Sequence, residues 1–147
     1  MPKDIRRRAE EICVNGNATE YVHEVTRLVE MIVQNKCNIA CDYVNDYSRH
    51  LDSFEDGKSC RIWISVHKVR AKPIHIVWDI MHEFGHHLSG APEKGEVEDT
   101  KRRLKREELA WNIAEMQLEG FPTLKLDLAD FLEYKDYCLR GYRSSAM

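Results

Sequence analysis

The chain has 147 residues, 43% hydrophobic and 32% charged, which suits one soluble domain able to bury about two-thirds of its unfolded surface. Its net charge of -3 supplies no global basic field, so nucleic acid is not expected as the main partner. No apolar run approaches the ~20 residues of a membrane span, and the start, Met1 to Arg8, lacks the apolar stretch of a signal peptide.

Residues 4–14 are charged and read as a helix, broken by Asn15-Gly16-Asn17. Asn17 with Glu20 three residues later has the form of a capping box for a second helix, which runs to about Lys36. Its Val22, Val25, Leu28, Val29, Ile32 and Val33 are spaced for one apolar stripe. Residues 39–47 read as a strand. Arg61 to His67, rich in β-branched and aromatic residues, reads as a second strand, with the turn signal Asp56-Gly57 before it and a hairpin expected. Lys72-Pro73 opens a helix that runs to about Ser89 and is ended by Gly90-Ala91-Pro92. A charged stretch follows. Two further helices are expected, from about Thr100 to Glu119, stopped by Gly120 and Pro122, and over 127–140. The order predicts a single α+β domain, 1–147, with a small β-sheet packed against several helices.

The five cysteines, Cys13, Cys37, Cys41, Cys60 and Cys138, are odd in number and scattered. This predicts free thiols in a reducing cytosol rather than a disulfide framework, and so a cytoplasmic protein. Cys37 and Cys41 are four apart and could share a helical face, but no companion pair of soft ligands accompanies them to make a metal site.

The chemistry is carried by His82-Glu83-Phe84-Gly85-His86. Histidines four apart on a helix stand one turn apart on one face, so both imidazoles can share one ion. Glu83 is placed to reach a water on the metal without ligating it, and zinc (Zn2+) lowers the pKa of such a water to about 7. His-Glu-x-x-His arises by chance in roughly 3% of shuffled chains of this composition, so context has to support it. At 100° per residue Val77, Ile80, Met81, Phe84 and Leu88 gather on one side of the helix. His82 and His86 fall on the other, near His75 and Asp79.

A catalytic zinc needs three protein ligands and an open position. The metzincin extension would put glycine at 89 and histidine at 92, where this chain has Ser89 and Pro92. No histidine follows His87, which leaves a carboxylate or Cys138. On the helix after the motif, Glu107 projects into the apolar sector of Leu104, Ala110, Ala114 and Leu118, whereas Glu108 projects with Asn112, Glu115 and Glu119. A carboxylate on a buried stripe needs a cationic partner, a metal or an arginine, and Glu107 is the favoured third ligand. The small Ala110 and Ala114 let this helix approach the motif helix closely.

Two histidines from one helix and a glutamate from a later one resemble the gluzincins, peptidases of the zincin fold. Within them the chain is most similar to the ImmA/IrrE-type metallo-endopeptidase family, over about residues 60–120. The resemblance rests on His82-Glu83-Phe84-Gly85-His86 and on Glu107-x-x-Ala110-x-x-Ile113-Ala114. Leu109 replaces the family's second acidic residue, Trp111 replaces its asparagine, and proline comes only at 122. The resemblance implies a zincin-like fold with the motif on a central helix. It also implies a zinc metallopeptidase acting on a peptide or protein, with regulatory proteins as its substrate class. The expected roles are metal ligation by His82, His86 and Glu107 and general base by Glu83. Two other readings stand beside it. One is a non-catalytic zinc-containing module that binds a partner protein. The other is a DNA-associated regulator using the basic cluster Lys101-Arg102-Arg103 and Lys105-Arg106, a charge-mixed run that more often forms a solvated helix face. Trp63, Ser65 and His67 alternate on a strand of the kind that binds extended substrate by edge pairing. His67 or His75 is placed to polarise a carbonyl, and Asp79 to hydrogen-bond His82.

Overall fold

The computed structural model describes residues 2–51, 60–90 and 98–147. The turn expected at Asp56-Gly57 and the helix stop at Ala91-Pro92 lie outside these residues. Among them the chain is α+β, with six α-helices and one three-stranded sheet. It divides into two compact units, Met1–Phe84 and Gly85–Met147. The division falls inside one continuous helix, α3 (Ile74–Ser89).

In the first unit α1 (Pro2–Asn15) buries Ala9, Ile12 and Cys13, one helical stripe. The capping box expected at Asn17 does not form. Asn17 is itself in the left-handed region, φ 56°, closing the turn after α1. A short 3-10 turn, Thr19–Tyr21, without a side-chain cap, leads into α2 (Val22–Gln34). The stripe of α2 buries Val25, Leu28, Val29 and Ile32. Lys36, at φ 64°, then reverses the chain. Its N–H donates to Val33 O and the Cys37 N–H donates to Ile32 O, both Schellman bonds.

That reversal feeds β1 (Asn38–Asp42). The sheet continues with β2 (Arg49–Leu51) and β3 (Arg61–Ser65), in the order β1-β3-β2. The hairpin expected between 39–47 and 61–67 is not the pairing seen. β1 runs parallel to β3, and the antiparallel partner of β3 is β2, a strand the sequence pattern did not announce. Asp42 explains where the first strand stops. Its carboxylate accepts from the N–H groups of Val44 and Asn45, from Asn45 Nδ2 and from Arg49 Nη1, so a local turn replaces the ladder. Ser65 ends β3 in the same manner, its hydroxyl donating to Asn45 O and accepting from Lys68 N–H. Ile62 and Ile64 of β3 are fully buried, while Trp63 lies between the guanidiniums of Arg49 and Arg61, 5.6 and 5.2 Å from its ring.

The expectation of free thiols throughout is corrected at one pair. Cys37 and Cys60 form a disulfide, with Cα atoms 4.8 Å apart. They stand side by side just before the paired Asn38 and Arg61, where Asn38 N–H donates to Cys60 O at 3.0 Å. Cys37 and Cys41 do not share a helical face. The chain between them is β1, which sets them about 13 Å apart at about 3.3 Å per residue. Cys13 and Cys41 are buried free thiols, and burial pushes both up to about 11.

α3 begins directly after Pro73. Ile76, Val77, Trp78, Ile80, Met81 and Phe84 are all buried, so the helix is covered nearly all round, not on one stripe. Leu88, expected on the anchoring side, is 44% exposed near the helix end. Gly90 follows at φ 89°, a position that suits glycine.

In the second unit Asp99 caps α4 (Thr100–Gln117), accepting from Lys101 and Arg102 N–H. After a 3-10 turn, Leu118–Gly120, Pro122 opens a short α5 (Pro122–Lys125). α6 spans Leu128–Ser145, longer than the expected 127–140. α4 packs on α6 through Trp111, which meets Phe131 and Tyr134 edge-on, each at 5.9 Å. No described helix is long and apolar enough to cross a membrane.

Candidate metal centre

α3 is continuous through the whole His82–His86 motif, so helical geometry alone places the two imidazoles one turn apart. His82 is half-buried and His86 is 8% exposed. Glu83 is 5% exposed, and its Oε2 lies 3.3 Å from His82 Nδ1. The motif therefore stands within the packed part of α3 and not on a plain solvated face.

Within the second unit, α4 brings Glu107 to His86, Glu107 Oε2 lying 2.8 Å from His86 Nε2. Glu107 is 8% exposed and shares its buried side with Ala110, Trp111 and Ala114; Glu108 is half-buried. The residue that permits this approach is Gly85. A Cβ built there would lie 2.3 Å from the Ala110 carbonyl oxygen, so any side chain at 85 would push α4 away. The sequence reading credited the small Ala110 and Ala114 with the close packing and did not assign this part to Gly85. A glycine inside an otherwise strong helical pattern was the signal.

His82 and His86 stand one turn apart on the continuous α3, and within the second unit Glu107 lies against His86. Two imidazoles and a carboxylate form the donor set of an open zinc site. Buried or half-buried imidazoles and a carboxylate of this kind suit a cation. The structure also holds a group the sequence reading missed. Within the first unit Cys37, His50 and Cys60 offer donor atoms within 4.8 Å of one another, and Cys37 and Cys60 are joined as the disulfide. His50 and Cys60 carried no local signal, since 37, 50 and 60 meet only through strand pairing.

Asp79 meets Arg70 in a buried ion pair, with Arg70 Nε donating to Asp79 Oδ2 at 2.9 Å. His67 is exposed and pairs with Asp46 at 2.6 Å. His75 packs on Trp78, 5.4 Å between rings, and desolvation holds its pKa below the ordinary value against the pull of the Asp79 carboxylate. Lys101, Arg102, Arg103 and Lys105 are exposed, as a solvated helix face would be. Cys138 is half-buried on α6 and stands outside the disulfide. No protein-family model, curated protein or solved structure matches this chain.

Proposed function

We propose that the chain is a zinc-dependent hydrolase of zincin-like fold, a gluzincin-type metallopeptidase that cleaves a peptide or protein substrate in the cytoplasm. The ImmA/IrrE-type family is its proposed relation, and a regulatory protein its proposed substrate class. The observation that carries the reading is the meeting of Glu107 with His86 on a helix that also presents His82 and Glu83. Sequence spacing supplies the pair of histidines. The fold supplies a buried carboxylate from 21 residues further on, the distance in sequence from His86 to Glu107.

His82, His86 and Glu107 would hold the zinc. Bound there, zinc would supply a Lewis acid for a peptide carbonyl and lower the pKa of a water to about 7. Glu83 acts as general base, its carboxylate taking a proton from water and returning it to the leaving nitrogen. Gly85 keeps Glu107 within reach of His86 by letting the two backbones touch.

Glu83→Gln keeps shape and hydrogen bonding but cannot accept the proton. The variant should keep its zinc and its fold yet cleave at least about a hundredfold more slowly, the scale of general-base catalysis. The assay offers a proteome-derived peptide library and the protein's own lysate to wild type and variant side by side. New termini that appear with wild type, and vanish with Glu83→Gln and with a chelator, support hydrolysis. If both proteins retain zinc, capture the same partner and leave it uncut, the non-catalytic binding module is the better account.

A further inference from the structure

We propose that Cys37, His50 and Cys60 form a second metal site, a thiolate zinc site that exchanges with the Cys37–Cys60 disulfide. All three donors belong to the first unit and to one small sheet. Cys37 and Cys60 face each other across the entrance of the parallel β1–β3 pair. His50 sits on β2 opposite Ile62, which puts its side chain on the face of β3 that also carries Cys60. His50 Nε2 lies 3.0 Å from Cys60 Sγ. These three donor atoms fall within 4.8 Å of one another.

The donor chemistry selects the ion. Two thiolates and an imidazole suit zinc, and two thiolate charges cancel the two of the cation. Cys37 and Cys60 are 2% and 6% exposed, so a neutral centre is the one that belongs there. A tetrahedral zinc with Zn–S bonds of about 2.3 Å needs its sulfurs about 3.8 Å apart, within the reach of cysteines on neighbouring strands. Exchange is balanced by a dithiol reductant. It gives two electrons and two protons to the disulfide and becomes a disulfide itself. The two thiols then lose their protons as zinc binds. A disulfide oxidant reverses this, taking up the two electrons and two protons as it becomes a dithiol, and the ion is released. Ligation by Cys37, His50 and Cys60 ties β1, β3 and β2 where the disulfide ties only β1 and β3.

The test uses the full chain and cobalt(II) as the probe, because only a sulfur-ligated ion gives an intense thiolate-to-metal charge-transfer band. The helical His82, His86 and Glu107 set has no sulfur, so failure there leaves this reading untouched and the reverse also holds. Protein reduced anaerobically with a dithiol and loaded with Co2+ should show the band. The band should vanish on reoxidation and in Cys37→Ser/Cys60→Ser. It should persist in His82→Ala/His86→Ala. In His50→Ala, which keeps both sulfurs, Co2+ affinity at the band should fall by about tenfold or more. Absence of the band in reduced, folded wild type overturns the site. So does a band that survives in Cys37→Ser/Cys60→Ser, which would assign it to Cys13, Cys41 or Cys138. Should the double serine variant fail to fold, persistence of the band at full affinity in His50→Ala refutes the arrangement on its own.

Discussion

The two donor groups differ in how the chain brings them together. On α3 and α4 the donors are two imidazoles and a carboxylate, and two of the three are fixed by four residues of one helix. On the sheet side the donors are sulfur and nitrogen from 37, 50 and 60, each on or beside a different strand. The first group is written in a local period. The second exists only once β1 has paired with β3 and β2 has closed on it. The first suits an open site for water chemistry, and the second a thiolate site whose two sulfurs can also be a covalent bond.

Removing a donor from the helical group should give the largest effect and should leave the other group intact. Glu107→Ala, His82→Ala and His86→Ala are each expected to lower zinc affinity there more than about a hundredfold, beyond the loss from deleting a mere hydrogen-bond partner of a ligand. Glu108→Ala should change it little, because Glu108 is only half-buried and its neighbour is the one that meets His86. Calorimetric zinc titration of the oxidised protein isolates this group, since the disulfide withholds both sulfurs of the other. Equal losses in the two glutamate variants would show that Glu107 is not a ligand.

Gly85→Ala should come next. A methyl group 2.3 Å from the Ala110 carbonyl oxygen cannot be accommodated without moving α4 against α3 within the second unit. Overpacking of this kind costs about 1–3 kcal/mol of stability. The shift also draws Glu107 from His86, so zinc affinity falls with stability. The charge-transfer band of the sulfur group should stay. A variant as stable as wild type with unchanged affinity at the helical group would mean that the close approach is not what positions Glu107.

This contrast explains what could be read in the sequence. The helix pattern of α2, α3 and α4 is local, and so is the side of α4 that Glu107 shares with Ala110 and Ala114. Their limits came within a few residues because Pro73, Gly90 and Gly120 punctuate them. The sheet was harder. β2 is three residues long, too short for an alternating pattern, and parallel pairing of β1 with β3 leaves no turn signal between them. Asn17 failed as a cap because the tight turn after α1 needs it in a left-handed conformation, which tertiary packing imposes and composition does not show. The odd cysteine count argued for free thiols, and a single cross-strand pair overrode it.

The smallest effect belongs to Asp42, and it tests whether the sheet group depends on the turn that returns the chain to β3. Asp42 collects two backbone N–H groups, Asn45 Nδ2 and Arg49 at the start of β2, the strand that carries His50. These hydrogen bonds, from Asn45 first and then Arg49, hold its carboxyl far below the ordinary carboxylate range. A group depressed in the folded state stabilises above its unfolded pKa, about 3.9 for aspartate. That contribution is lost as pH falls from there through the folded value. Oxidised wild type should therefore exceed Asp42→Asn in Tm by a few degrees at neutral pH, and the gap should narrow steadily below about pH 4. Reduced Asp42→Asn should also bind Co2+ more weakly in the charge-transfer band, because β2 is less firmly seated, while zinc binding at the helical group is unchanged. A gap in Tm that stays constant from pH 7 down to about pH 2 would show that ionisation of Asp42 does not hold the turn. A weakened helical group would show that the two sets of donors are not independent.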